Sequence, residues 1–257
     1  MRRNLPLPRE ITRRDLLRGV GASLGGVWLC RAAVADGGEA PPDEPILEDD
    51  FSGDGLDESL WVRTAHNDFQ EEVVEVVGGL LRVGCSTIGT EDATVKRHGV
   101  RTAEPRVPVA GGVRIEYTVD WNDPFNGCYM QAGAYISPHA GDNPEGLDDR
   151  LEFVYVGVPP GQKARGWVTL RRDGQHPTIL MDENWPDDRD GREIDVQRVV
   201  MELTPESLSI LENGEQILAV TDLELGWDQA YVYLQQMSHS NYPMRSVFFD
   251  DVRIERL

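Results

Sequence analysis

The chain has 257 residues and a formal net charge of −20. That length suits one β-rich domain with short extras and is enough to bury a real core. Such an acidic surface repels nucleic acid and anionic membranes, which leaves a neutral or cationic ligand, a metal ion, or simple solubility to explain the charge.

The N-terminus reads as an address. Residues 12–18 are TRRDLLR, followed by the weakly apolar GVGASLGGVWLC and by AAVADGG, where Ala33 and Ala35 supply small residues before Asp36. A charged start, an apolar middle and a small-residue end make a secretory signal. The pair Arg13-Arg14, preceded by Thr12 and followed by Leu16 and Leu17, resembles a twin-arginine signal. That resemblance implies export of an already folded chain to the periplasm, the cell surface or the medium. The apolar run is short and Gly-rich for a bilayer core of about 30 Å, so no stable membrane insertion is expected after cleavage. The expected organisation is a signal over 1–35, a polar linker DGGEAPPDEP over 36–45 and one domain over 46–257. The first 35 residues carry seven Arg and two acids, leaving 18 basic against 43 acidic residues, a net −25.

Two cysteines follow the signal, Cys85 and Cys128. An oxidising compartment would let them pair, and a loop of that size would add about 3–5 kcal/mol in the loop-entropy picture. Two buried thiols are the other reading.

Beyond the linker, short alternating runs recur with turn signals between them. GGLLRVGCST alternates Leu81, Val83 and Cys85, and VRIEYTVDW alternates Val113, Ile115, Tyr117 and Val119. CYMQAGAYI puts Met130, Ala132, Ala134 and Ile136 on one face; LEFVYVGV and GWVTLRR follow. VVMEL and SLSILENGEQILAV continue the pattern, the latter with Asn213-Gly214, a strong two-residue hairpin signal. YVYLQQMS and SVFFDDVRIERL end the chain. No βαβ rhythm is present, so an antiparallel sandwich is expected.

The opening LEDDFSGDGLDESLWV, the later VVGGLLRV and the closing VFFDDVRIERL together resemble the concanavalin A-like lectin/glucanase superfamily. That group holds laminarinase-type glycoside hydrolases, laminin G-like modules and several polysaccharide lyases. The resemblance spans 46–257 and implies an all-β, antiparallel jelly-roll β-sandwich of two curved sheets. It does not choose among the many functions that fold carries.

In the laminarinase-type pattern a strand carries E-x-D-x-E or E-x-D-x-x-E, with the nucleophile first and the acid/base last. Two carboxylates on one strand face is how such enzymes work. Residues 193–197 give E-I-D-V-Q: Glu193 and Asp195 are followed by Gln197, an amide that cannot act as general acid. Their place in the chain, leading into the VVMEL strand and the Asn-Gly hairpin, also marks the match as a decoy. Nearer the middle of the chain, DRLEFVYVG holds Glu152 as the single acid within its alternating run, after Asp149 at its start. If the protein is an enzyme, Glu152 is the expected carboxylate and His239 its partner.

The resemblance places a ligand groove on the concave sheet. Opposite the apolar positions lie Tyr129, Gln131 and Tyr135, then Trp167 and Arg171, then Tyr233 and Gln235, with Trp185 in the acidic loop ENWPDDRDG. Rings that stack on sugars and amides that bond hydroxyls suit an oligosaccharide or polysaccharide; core packing is the bland alternative. The superfamily's structural calcium would fall between Asp50 and Asp251, hard oxygen donors where the first and last strands meet. Three functions therefore stand open: a secreted carbohydrate-binding domain without catalysis, a hydrolase or lyase with a non-standard site, and a structural or adhesion domain.

Overall fold

The computed structural model describes residues 44–66, 71–87, 95–120, 130–157, 165–184, 196–239 and 244–257. The strands in chain order are β1 (Leu47–Asp49), β2 (Trp61–His66), β3 (Glu71–Val77), β4 (Leu80–Ser86), β5 (Val95–Thr102), β6 (Val113–Asp120) and β7 (Met130–Ser137). After them come β8 (Arg150–Gly157), β9 (Arg165–Arg171), β10 (Thr178–Asn184), β11 (Val196–Leu203), β12 (Ser207–Glu212), β13 (Glu215–Thr221), β14 (Tyr231–His239) and β15 (Arg245–Arg256).

Every ladder is antiparallel, and the strands form two sheets. The back sheet runs β13-β12-β11-β6-β15-β4-β3, with β1 added on β15. The front sheet runs β10-β9-β8-β7-β14-β5-β2. This is the expected antiparallel jelly-roll sandwich.

Alternation builds it. On β6, Val113, Ile115, Tyr117 and Val119 are buried while Arg114, Glu116 and Thr118 face out, because successive side chains point to opposite faces. Facing them across the core are Ala132, Ala134, Phe153, Val168, Val232 and Leu234 of the front sheet. Each fully buried Val, Leu, Ile or Phe contributes about 1.5–3 kcal/mol. The exposed side of the back sheet is laced by ion pairs such as Arg114–Glu202 at 2.8 Å and Arg82–Glu75 at 3.1 Å. The β12–β13 turn is the anticipated Asn213-Gly214, both with positive φ, and Asn213 Oδ1 accepts the Arg198 N–H at 2.9 Å.

The LEDDF segment is fixed by one acid. Asp49 accepts the Phe51 N–H and the Trp61 indole N–H, each at 2.8 Å, and so seats both rings in the core.

Two glycines set the middle of the front sheet. Gly99 of β5 and Gly133 of β7 both register with Gln235 of β14. A Cβ on Gly99 would run into the Leu234 carbonyl, and one on Gly133 into the Phe153 carbonyl. The bare Gly99 also lets the Gln235 amide reach across it to Thr64 Oγ1 on β2, at 2.6 Å. Gly99→Ala and Gly133→Ala are each expected to cost about 1–3 kcal/mol in urea unfolding. Gly55→Ala, with open space around it, should stay within about 0.5 kcal/mol.

His98 is fully buried on the core side of β5, and burial pushes its imidazole down to about 4, with a hydrogen bond to the Gly84 backbone opposing weakly. The unfolded chain therefore binds a proton that the folded one refuses between pH 6.5 and about 4. Stability should fall as pH drops through that window, by up to about 3 kcal/mol from this group. His98→Gln should flatten that part of a stability-against-pH curve.

Candidate functional site

The outer face of the front sheet is organised in rows across the strands. One row is Thr169, Glu152, Tyr135, Tyr233 and Arg101, from β9, β8, β7, β14 and β5. The next is Trp167, Val154, Gly133, Gln235, Gly99 and Thr64. A third holds Val156, Gln131, Met237 and Arg97. A small apolar cluster of Tyr135, Val154, Val156 and Tyr233 sits here, apart from the main core, with Leu147, Trp167 and Tyr231 packed against it.

Along β8, residues 152, 154 and 156 share this face and read Glu, Val, Val. A retaining glycosidase needs two carboxyl groups about 5–5.5 Å apart, and an inverting one about 6.5–9.5 Å. β8 offers one. Burial raises the Glu152 carboxyl above its ordinary value; Arg150, its closest partner with Nε 3.3 Å from Oε2, pulls the other way, as Arg97 does more weakly. Tyr135 is raised well above the ordinary phenol by burial and by the Glu152 charge, with the Arg97 guanidinium opposing as charge and donor. Burial likewise pushes Tyr233 up to about 12.

The loop 138–149, between β7 and β8, folds over this face. The Tyr233 hydroxyl donates to the His139 carbonyl at 2.7 Å and accepts the Gly141 N–H at 3.1 Å. Glu145 forms an ion pair with Arg97 of β5. Leu147 joins the apolar cluster. His139 Nε2 and Asp149 Oδ2, at 3.1 Å, tie the two ends of the loop together.

The expected ligand residues separate accordingly. Gln131, Trp167 and Arg171 are half-buried on the outer face, with Arg171 donating to the Gln175 and Gly174 carbonyls at 3.0 Å each. Tyr135 and Tyr233 are buried under the loop, Gln235 is buried in the next row, and all three are engaged internally. Tyr129 and Trp185 lie outside the described residues, as do Glu193, Asp195 and Cys128. Gln197 is buried on the back sheet, facing the core. Glu152 and His239 are not brought together. His239 ends β14 beside Val95, six residues past Tyr233 and two strands from β8. At about 3.4 Å per residue that is roughly 20 Å along the strand alone. Arg97, Arg150 and Glu145 are the charged members that the sequence reading passed over. Arg150, two residues before Glu152 on one strand, was the visible signal.

Asp50 and Asp251 fall at the end of the β1–β15 ladder, just beyond the Asp49–Val252 pair. Asp50 accepts the Ser52 N–H at 3.1 Å. Among the described residues no three His, Cys, Asp or Glu side chains converge. Calcium takes six to eight oxygens, so these two carboxylates alone do not make a cage for it.

The sandwich is similar in fold to solved glucanase structures. Residues corresponding to 83% of this chain and 97% of the catalytic domain of a Thermotoga petrophila endo-1,3-β-glucanase superpose with TM-score 0.58 at 12% identity. The fold is the concanavalin A-like jelly roll. The endo-β-1,3-glucanase of Pyrococcus furiosus gives TM-score 0.59 at 15% identity, over 82% of this chain and 94% of that one. The Bacillus licheniformis β-glucanase gives 0.56 at 10%, over 82% and 98%. No family model matches the sequence. No curated protein matches it either. Along β8 the described outward residues present one acid, Glu152.

Because the folded state holds Glu152 above its unfolded value, the native protein keeps a proton that the unfolded chain releases as pH rises past the ordinary carboxylate range. That lowers stability with rising pH. Glu152→Gln should therefore gain stability relative to the parent as pH increases from about 4.3 upward, read from paired urea titrations. A widening gap in the opposite direction would show that the Arg150 pair outweighs desolvation.

Proposed function

We propose that the chain is a carbohydrate-binding domain of concanavalin A-like fold that does not cleave glycosidic bonds, exported through the twin-arginine signal at its N-terminus. The observation that carries this reading is the outer face of β8, where Glu152 is followed by Val154 and Val156. An acid/base pair cannot be assembled from that strand, and His239 is too distant to replace the missing partner. The surface that remains suits recognition: Trp167 supplies a half-buried ring and Gln131 an amide on neighbouring rows. The solved structures sharing the fold include an endo-1,3-β-glucanase and a β-glucanase, which supports a glycan as the ligand class.

A glycan array on the protein, followed by reducing-end and unsaturated-product assays on every hit, tests this. Binding without product is expected. Trp167→Ala should weaken that binding about tenfold, since base- or sugar-like stacking on an aromatic ring contributes on the order of 1–2 kcal/mol. Turnover that disappears in Glu152→Gln would replace this reading with the enzymatic one. Absence of any glycan ligand would favour a structural or adhesion role.

A further inference from the structure

We propose that the groove takes a glycan bearing carboxylate groups, a uronate, and that the loop 138–149 is an internal stand-in for it. The inference rests on the carbohydrate-binding reading and names its ligand class.

The floor beneath the loop is basic, in a chain whose net charge is −20. Arg97, Arg101 and Arg150 all rise from the outer face of the front sheet. The described acid on that floor is Glu152, and its burial favours the uncharged form. Arg150 is occupied by Glu152. Arg101 lies over the Tyr231 ring, 5.2 Å from its centroid, and donates Nη1 to the Thr102 and Ala103 carbonyls at 2.9 and 3.4 Å. Its Nε is buried without an acceptor, and none of its described partners is a carboxylate.

Arg97 is the decisive group. Its side chain is only 10% exposed, it bonds the Tyr135 hydroxyl, and its anion comes from above. That anion is Glu145, 41% exposed and carried by a loop rather than by the sheet. The loop reads PHAGDNPEGLDD and holds four acids in twelve residues. Asp142 lies close enough for its charge to be felt at Tyr233. Asp149 turns aside to His139 and to the Asp173 N–H. An acidic strap thus lies on a basic floor and delivers one carboxylate to a buried guanidinium. A sugar carboxylate presents the same planar acceptor, and a guanidinium fork matches either. Exchanging Glu145 for it keeps the buried charge paired, which a neutral sugar would not.

The floor carries a second unmet group. Gln235 is 1% exposed, donates its amide N–H groups to Thr64 and the Val100 carbonyl, and leaves Oε1 buried without a donor. It sits between Gly99 and Gly133, its two row neighbours without side chains, and once its cover is displaced a sugar hydroxyl can supply that donor. The general negative field opposes a long polyanion, so recognition is expected of short uronates and at salt that screens the field within about 10 Å.

Isothermal titration of the protein with a short oligogalacturonate, and with a neutral gluco-oligosaccharide of equal length, tests the proposal. Glu145→Gln leaves the sheet untouched and serves as the main variant; Arg97→Lys is the second, with thermal melting to verify folding of both. The uronate should bind in preference to the neutral sugar. Glu145→Gln should bind it about tenfold more tightly, and Arg97→Lys about tenfold more weakly because the bidentate fork is lost. Hydrogen exchange of amides 139–147 should quicken when the uronate binds, as the strap leaves the floor. Equal or better binding of the neutral sugar, with no change in Glu145→Gln, would overturn the uronate assignment and leave the carbohydrate-binding reading standing. Slower exchange of the strap on binding would show it to be part of the site rather than its stand-in. Binding of neither sugar by the parent or by Glu145→Gln would overturn both readings.

Discussion

One strand imposes the division of labour on the molecule. On β14, Val232 and Leu234 turn into the core while Tyr231, Tyr233 and Gln235 turn outward. The period of two leaves no freedom: a slip by one residue would bury Tyr233 and Gln235 between the sheets and expose two aliphatic side chains. The registers of β7 and β5 are locked to β14 on either side, and those of β8 and β2 follow. Placing Glu152 in one row with Tyr135, Tyr233 and Arg101 is therefore a consequence of core burial. The apolar face decides the register, and the register delivers the polar face.

The same rows explain why the outer face is closed rather than bare. Val154 and Val156 put aliphatic groups where solvent would otherwise stand, and exposing such a patch costs free energy in proportion to its area. Leu147 and the Tyr135 and Tyr233 rings cover them. Polar groups trapped under that cover must then be satisfied locally. Arg150 meets Glu152, Arg97 meets Glu145 and Tyr135, and the Tyr233 hydroxyl finds the His139 carbonyl and the Gly141 N–H. The strap is held by this requirement as much as by packing.

Much of this is legible in the amino-acid sequence, for a definite reason. The alternation in CYMQAGAYI and YVYLQQMS assigns Gln131, Tyr135, Tyr233 and Gln235 to one face, and the structure keeps them there. The all-antiparallel sandwich follows from the same alternation. What alternation cannot supply is the cover. PHAGDNPEGLDD reads as a polar turn, and nothing in its spacing says that Glu145 will meet Arg97, a residue on a strand that is not its neighbour in the chain. Nor does spacing reveal that Tyr135 and Tyr233 will be buried on the side facing away from the core. Gly99 and Gly133 are a partial exception: an isolated glycine inside a strand pattern signals close backbone approach. Both mark the row where Gln235 crosses to Thr64. The E-I-D-V-Q match, set aside in the sequence as a decoy, misleads for a related reason. A short motif carries strand phase but no sheet identity, and Gln197 belongs to the back sheet.

The charge of the chain acquires a different meaning once it is located. The net −20 is a sum over the whole sequence. On the back sheet arginines sit among acids, so Arg114 meets Glu202, Glu116 and Glu255 and much of the negative charge there is partnered. On the front sheet the floor holds Arg97, Arg101 and Arg150 against the one described acid Glu152, and the anion that meets Arg97 comes from the loop above it. A global excess of acid does not exclude an anionic ligand when the cations are sequestered under a removable cover. At close range, in a partly desolvated groove, a single guanidinium outweighs many screened surface carboxylates, because Coulomb energy grows as both distance and effective dielectric fall. Whether the protein attracts or repels an acidic sugar is thus decided by which charge the strap leaves uncovered, and only weakly by the sum.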